Sequence, residues 1–122
     1  MDRIEILKKI NEIEEGLEAV HSDKINDIEK ATLLLYMSRT IVSINLYLEK
    51  QLTQDELDRV LSENIDYQKI RKTKRGTESL DEDTIERAIA FIKRKIKDVK
   101  EKIKEKDSGT TKTSRTSQTY IF

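Results

Sequence analysis

Residues 31–48 read ATLLLYMSRTIVSINLYL, and apolar side chains occupy most positions of this stretch. On a helix of about 3.6 residues per turn they cover nearly every face instead of a single stripe. A helix of this kind must be buried on several sides. We therefore expect residues 31–48 to form the centre of the core, within a helix that begins near Ser22 or Asp23 and ends near Leu52.

The chain on either side of this stretch carries apolar residues at alternating spacings of four and three, which is typical of a coiled-coil seam. In a first helix over about residues 2–20 these positions are Ile6, Ile10, Ile13, Leu17 and Val20. In a last helix that ends near Lys106 they are Ile85, Ile89, Ile92, Ile96, Val99 and Ile103.

Charges beside the two seams predict how the first and last helices pair. The flanking positions of the last helix hold cations: Lys93, Lys95, Lys100 and Lys102. Glu14 takes a flanking position on the first helix, with further glutamates nearby. Antiparallel pairing would set these cations against the anions, and such pairs select partner and direction more than they stabilise.

A short third helix is predicted after residue 52. Thr53 and Glu56 match a capping box, in which each side chain binds the other residue's backbone N–H. The end of this helix stays open, since Asn64 can stop it or it can continue through Ile65 and Ile70. Residues 71–78 (RKTKRGTE) are then expected to form a basic loop.

A second capping box is predicted at the start of the last helix. Ser79 and Glu82 have the required spacing. The acidic residues Asp81 and Asp83 also suit the positive end of a helix dipole.

The composition narrows the fold class. Proline and cysteine are absent and glycine occurs three times, which favours long helices over a β-sandwich or a nucleotide-binding α/β fold. We predict an all-α protein. Its one domain, residues 1–106, is a three- to four-helix bundle with coiled-coil-like first and last helices, and residues 107–122 form a flexible, disordered tail.

The sequence also predicts where in the cell the protein is located. The N-terminal residues are charged throughout, which does not suit a signal peptide. Arg39 interrupts the most apolar stretch, which we expect to fall short of a membrane span. The absence of cysteine excludes disulfides. These features favour a cytoplasmic protein with no membrane contact.

No residue pattern points to catalysis. The single histidine, His21, cannot build a common zinc site without cysteines. No phosphate-binding glycine loop or nucleophile motif is present. We therefore expect no catalytic, cofactor-binding or metal-ligating residues and no enzyme activity.

Arg39 is the notable exception to the apolar core: it either pairs with an acid, extends to solvent, or faces a groove where it meets a partner's carboxylate or a phosphate.

Charge is distributed unevenly although the net charge is zero. Residues 1–63 hold eight Lys/Arg against fourteen Asp/Glu, and residues 64–122 hold sixteen against ten. Nucleic acid is a possible partner of the basic half. Its candidate ligands are Lys69, Arg71, Lys72, Lys74, Arg75, Lys93, Lys97, Lys100 and Lys104. The alternative is a solubilising face that balances the acidic first helix.

The last residues form a candidate docking peptide. The polar segment before them lacks the apolar content that folding requires. The tip combines extended-structure formers with aromatic anchors at Gln118, Tyr120, Ile121 and Phe122. This layout suits a partner's pocket or sheet edge. Two alternatives are that the tip folds back onto its own helices or that it has no role.

These observations favour a non-catalytic adaptor or accessory subunit, for which a nucleic-acid-associated assembly is one setting. Its helical body packs with itself or with a partner, and its tail docks another protein. The first alternative is a direct nucleic-acid-binding protein that uses the basic half. The second is a structural homo-oligomer joined through the heptad seams.

Overall fold

The computed structural model describes the backbone of residues 1–109 and the side chains of residues 1–104. This part of the chain contains five helices and no strand, which confirms the all-α class. The helices are α1 (Arg3–Ala19), α2 (Asp27–Leu48), α3 (Gln54–Asn64), α4 (Tyr67–Lys74) and α5 (Glu82–Gly109). The described residues thus hold more helices than the three or four expected.

Helix α2 is the centre of the core, as predicted from residues 31–48. It contacts each of the other four helices. Its inner side chains are almost inaccessible to solvent, among them Ala31, Leu34, Met37 and Ile41. Helix α2 is buried on several sides, as expected, but Tyr36 and Tyr47 lie on a side that is exposed.

Helix α1 packs antiparallel to α2. The Tyr36 hydroxyl of α2 donates to a carboxylate oxygen of Glu12 at 3.3 Å. Nearer the other end, the amino group of Met1 donates to the Tyr47 hydroxyl at 3.0 Å. All five predicted seam residues of the first helix are buried: Ile6, Ile10, Ile13, Leu17 and Val20.

Helix α5 packs parallel to α2. The Leu80 amide before α5 donates to Asp27 at the start of α2, at 3.0 Å. Near the other end, Lys102 donates to Asn45. Since α1 is antiparallel to α2, the predicted antiparallel relation of the first and last helices follows. The seam of α5 is also buried at Ile85, Ile89, Ile92, Ile96, Val99 and Ile103.

The predicted pairing of lysines with α1 occurs at one position. Lys100 lies 3.1 Å from the Glu14 carboxylate. Lys102 instead forms an ion pair with Glu49, immediately after α2. Lys95 lies 3.6 Å from Asp98 of its own helix. The position of α5 beside α2 explains this difference. Lys102 reaches the end of α2, whereas a prediction that considers only α1 and α5 assigns it to α1.

The ends of α2 differ from the sequence prediction. Asn26 and Glu29 form the N-terminal capping box, with both hydrogen bonds at 2.9 Å, so neither Ser22 nor Asp23 is the cap. The helix ends at Leu48, because Lys50 adopts a left-handed conformation with φ of 60°. The Gln51 amide then donates back to the Leu46 carbonyl at 2.8 Å. Such a closure is usually made by glycine, which explains the overestimated length.

The chain between α3 and α5 also differs from expectation. The Thr53 hydroxyl caps α3 by accepting from the Glu56 amide, as predicted. The Glu56 carboxylate, however, accepts from Arg59 instead of completing the box. Residues 71–74 are helical and not part of a loop, because Asp66 caps α4 and Gly76, with φ of 81°, closes it.

Helix α5 begins after Asp81, whose carboxylate accepts from the Thr84 amide at 3.2 Å. Asp81 rather than Ser79 is therefore the cap. The helix reaches Gly109, beyond the expected end near Lys106.

By length and mean hydropathy alone, α2 reaches the minimum for a membrane-spanning helix, contrary to the expectation that this stretch is too short. Of its most apolar window, 56% is buried inside the fold. A core helix of a soluble protein passes the same test, so this finding is weak evidence for a membrane segment.

Candidate functional site

A groove runs along the exposed side of α2, beside the N-terminal part of α1. We call it the α2 groove; its volume is about 280 Å³, and it is lined by Met1, Lys9, Tyr36, Arg39, Thr40, Ser43 and Ile44. This lining includes two cationic side chains and no carboxylate. The Glu12 carboxylate lies next to this lining, 3.3 Å from the Tyr36 hydroxyl and 3.8 Å from the Lys9 amino group.

Arg39 is the one charged residue in the apolar stretch 31–48, and it lines the α2 groove. It is half-buried, and its Nε and Nη2 atoms donate to the Tyr67 hydroxyl of α4 at 2.8 and 2.6 Å. Within the described part of the chain, no carboxylate lies within 4.0 Å of the Arg39 guanidinium. Of the three alternatives for Arg39, the acid pair is therefore wrong and the groove-facing position is observed.

Two hydroxyl groups next to Arg39 also lack partners. Thr40 and Ser43 are half-buried and line the groove. Neither side chain hydrogen-bonds to any residue that the structure describes. Ser38 behaves differently, since its hydroxyl donates to the Leu34 carbonyl at 2.7 Å, as hydroxyls on buried helices commonly do.

Two tyrosines mark the length of this exposed side. Tyr36 is 44% exposed and Tyr47 is 43% exposed, although both belong to the central helix. They are eleven residues apart, about 16 Å along the helix axis. Sequence reasoning missed this surface because it counted tyrosine as apolar. The available signal was the spacing of Tyr36, Thr40, Ser43 and Tyr47, which places four hydroxyl-bearing residues on one face.

The two basic segments predicted from the sequence lie in different settings. Lys69 to Arg75 lies on α4 and its C-terminal cap. Lys69 forms an ion pair with Asp81 at 3.2 Å. Arg71 lies over the Tyr67 ring, 5.5 Å from its centre. Of the described residues, none places a carboxylate within 4.0 Å of Arg71, Lys72, Lys74 or Arg75.

The second segment lines a groove between α1 and α5. This groove, which we call the α1–α5 groove, has a volume of about 740 Å³. Its lining contains all four predicted lysines, Lys93, Lys97, Lys100 and Lys104, together with Glu14, Glu18, Glu101 and His21. Three carboxylates thus share the groove with the lysines, and Lys100 is paired with one of them.

Two carboxylates outside these surfaces have a lowered pKa. The Thr84 side chain and then Lys69 hydrogen-bond to Asp81 and lower its pKa from 3.8 to about 2. On α3, a hydrogen bond from Arg59 lowers the pKa of Glu56. Both groups are structural, since one caps α5 and the other fixes Arg59 on the surface of α3.

Metal-binding chemistry is not evident in the described side chains, where no three His, Cys, Asp or Glu residues converge on one point. His21 is exposed at the end of the α1–α5 groove. The predicted docking residues Gln118, Tyr120, Ile121 and Phe122 lie outside the residues that the structure describes.

Comparison with known proteins adds no relative: no protein-family model, curated protein or solved structure matches this chain.

Proposed function

We propose that the protein is a non-catalytic adaptor whose helical body binds a partner protein in the α2 groove. One observation carries this proposal: the central helix holds Arg39 without a carboxylate partner, next to Thr40 and Ser43 without hydrogen-bond partners. Polar groups on a core helix are normally satisfied within the fold. Two hydroxyls without a partner, beside an arginine that is bonded only to a tyrosine hydroxyl, suit a surface that a second molecule covers.

The lining of the groove supports an acidic partner segment. A guanidinium has five N–H donors, of which the two bonds to Tyr67 use two. The others can bind a carboxylate, while the hydroxyls of Thr40 and Ser43 bind backbone or side-chain groups. Lys9 adds a further cation, held only loosely by Glu12 at 3.8 Å. A partner helix with an acidic residue on its apolar face therefore fits this surface.

The distance between the two tyrosines predicts how long the bound partner segment is. Tyrosine and arginine are the residues most enriched at the centres of protein interfaces, since each offers a large contact area and a polar end. Tyr36 and Tyr47 flank the groove at about 16 Å, which is the length of three helical turns. We expect the partner segment to contact both.

The C-terminal residues supply a second attachment in this proposal. Gln118, Tyr120, Ile121 and Phe122 dock the same partner or another one, through a flexible tail. Coiled-coil-like packing of α1 and α5 and a cytoplasmic location belong to the same proposal. The body and tail are testable separately because Arg39 and the pair Tyr120 and Phe122 can be substituted in different variants.

Site-specific crosslinking tests the proposal. The chain has no cysteine, so a photo-crosslinking amino acid or a single engineered cysteine reports one position only. With the probe at position 36, we expect crosslinks to one partner, identified by mass spectrometry. The same probe at Gln68, exposed on α4, is the control and should give none.

Binding measurements with the purified partner then test whether the α2 groove is the binding site. Arg39→Glu should weaken it at least tenfold, and Arg39→Lys should weaken it less. Equal crosslinking at positions 36 and 68, or unchanged binding by Arg39→Glu, would contradict an α2 groove site. A crosslinked product of twice the chain mass would instead support the structural homo-oligomer. Tyr120→Ala with Phe122→Ala tests the tail, and unchanged binding would limit the contact to the body.

A further inference from the structure

We infer that the outer face of α4 binds the phosphate backbone of a nucleic acid, independently of the α2 groove. The face consists of Arg71, Lys72, Lys74 and Arg75, which occupy the last turn of α4 and its cap. Tyr67, Ile70 and Thr73 of the same helix are buried against the core, whereas Lys72, Lys74 and Arg75 are exposed and Arg71 is half-buried. We call the four cations the α4 basic face.

These cations are distinguished by their clustering, since four of them fall within five consecutive residues, whereas Lys8, Lys24 and Lys30 also have no carboxylate within 4.0 Å in the described residues but lie apart along the chain. Elsewhere the described surface pairs many of its cations, as Arg59 does with Glu56 and Glu63. None of the four has a carboxylate within 4.0 Å in the described residues. The helix dipole favours cations at the C-terminal end of α4, but its effect is limited to the last turn. It therefore does not by itself account for a cluster of four cations.

Arg71 is held in place by the fold. Its guanidinium lies over the ring of Tyr67, and the Tyr67 hydroxyl is in turn held by Arg39. Tyr67 is only 4% exposed, so its position is fixed by core packing. A cation held in this way loses less side-chain freedom when it binds a phosphate.

A polyanion fits the α4 basic face better than a protein does. On α4, the remaining exposed residue besides the cations is Gln68. The centres of protein interfaces are poor in lysine and rich in apolar groups, which this face does not offer. A duplex presents about one negative charge per 1.7 Å of axis. Four cations spread over about 6 Å of helix therefore meet several phosphates at once.

Phosphate contacts of this kind carry no sequence information. The one aromatic ring near the face, Tyr67, is buried and cannot stack on a base. We therefore expect binding to duplexes of any sequence, with strong dependence on salt. Glu78, in the turn after Gly76, is the nearest acid along the chain and limits the face on that side.

The lysines of α5 do not belong to this site. Lys93, Lys97 and Lys104 line the α1–α5 groove together with Glu14, Glu18 and Glu101. A phosphate entering that groove would meet three carboxylates as well as four lysines, so its attraction to the lysines would be partly offset. The structure thus divides the basic residues of the sequence into one available face and one that is balanced locally.

Fluorescence anisotropy with the full chain and a labelled duplex of about 20 base pairs tests the inference between about 50 and 200 mM salt. Four phosphate contacts predict a slope of log K against log salt of about −3 to −4. Replacing Lys72, Lys74 and Arg75 together by Glu should weaken binding at least tenfold, and replacing them by Gln should lower the slope by about 3. The Gln variant avoids placing acids at the negative end of α4.

The matched control reverses the same number of charges on α5, through Lys93→Glu, Lys97→Glu and Lys104→Glu. This variant should bind within about threefold of the unchanged protein, because only long-range attraction is reduced. Far-UV circular dichroism confirms that each variant is folded. Equal losses in both variants, or undiminished binding by the α4 variant, would overturn the inference. So would binding of a poly-glutamate peptide but not of the duplex, which would assign the face to an acidic protein.

Discussion

Arg39 of α2 donates from both Nε and Nη2 to the hydroxyl of Tyr67 in α4, at 2.8 and 2.6 Å. Tyr67 also carries Arg71 over its ring, so one buried tyrosine holds two cations. The same contact therefore joins two surfaces: Arg39 faces the α2 groove and Arg71 belongs to the α4 basic face. It also anchors the short helix α4, whose eight residues would not be stable alone.

Tyr67→Phe should destabilise the protein by about 1–2 kcal/mol. The change removes the acceptor of both Arg39 hydrogen bonds, and hydrogen bonds to charged groups contribute about 1.5–3 kcal/mol. The expected value is lower because Arg39 is partly accessible to water. Urea unfolding, followed by circular dichroism, measures the difference.

Tyr36→Phe is the control for this prediction. It removes a hydroxyl whose bond to Glu12 is 3.3 Å long and exposed, so the change should stay within about 0.5 kcal/mol. Similar losses for the two variants would mean that the Arg39–Tyr67 contact has no special part in stability.

Core positions were the most predictable feature of this sequence. The apolar spacing of α1 and α5 identified every buried seam residue, because burial follows the face of a helix and tolerates errors of one or two residues at its ends. The position of α2 at the centre followed from the apolar residues that occupy most positions of residues 31–48. The antiparallel relation of α1 and α5 followed from charges, although Lys100 and Glu14 are the one predicted pair that forms.

The helix ends were less predictable, for reasons that differ by residue. Ser22, Asp23 and Asn26 all suit a cap, and Asn26 is the one that forms a capping box, with Glu29 three residues later. Lys50 closes α2 in a conformation that normally favours glycine, so no sequence signal marked the end.

The candidate sites required the fold itself. A linear sequence places Arg39 and Tyr67 twenty-eight residues apart and does not indicate that they meet. The composition of the basic half likewise does not show that Lys93 and Lys97 share a groove with Glu14 whereas Arg71 faces no acid.

Phe91→Ala should cost about 3–5 kcal/mol in free energy of unfolding. Phe91 is fully buried on α5, so truncation removes apolar contacts and leaves a cavity in the core. This is a large part of the about 5–15 kcal/mol that stabilises a typical domain. Thermal unfolding should show a strongly lowered Tm. Ile4→Ala, at a position that is 78% exposed, is the control and should change Tm little. Comparable losses at both positions would contradict the assignment of Phe91 to the core.

Asp81 should contribute to the pH dependence of stability in the acid range. Its pKa is lowered in the folded protein to about 2 by the Thr84 side chain and by Lys69, from an ordinary value of 3.8. A depressed folded pKa stabilises the protein above the unfolded pKa, and this contribution is lost as pH falls from about 4 to about 2. The stability difference between the unchanged protein and Asp81→Asn should therefore be constant above about pH 5 and shrink below pH 4.

Nuclear magnetic resonance titration of the Asp81 carboxyl carbon provides the direct measurement, with an expected midpoint near pH 2. Thr84→Val should raise that midpoint, because it removes the hydroxyl that makes the largest contribution. An ordinary midpoint near 3.8 would contradict the observed cap.

Gly16→Ile should destabilise the protein by about 1–3 kcal/mol, through overpacking between α1 and α2. A Cβ at position 16 would lie 2.8 Å from the Met37 sulfur and 3.5 Å from its Cγ. Met37 is 1% exposed, so its side chain has little space into which to move. The better helix propensity of isoleucine offsets only a small part of this cost.

Asn11→Ile, at an exposed position of α1, is the matched control and should have a much smaller effect on unfolding by urea. Adding Met37→Ala to Gly16→Ile should cost less than Met37→Ala does alone, since the new side chain then fills space that the methionine vacates. Strictly additive losses would show that the contact between Gly16 and Met37 does not set the distance between the two helices.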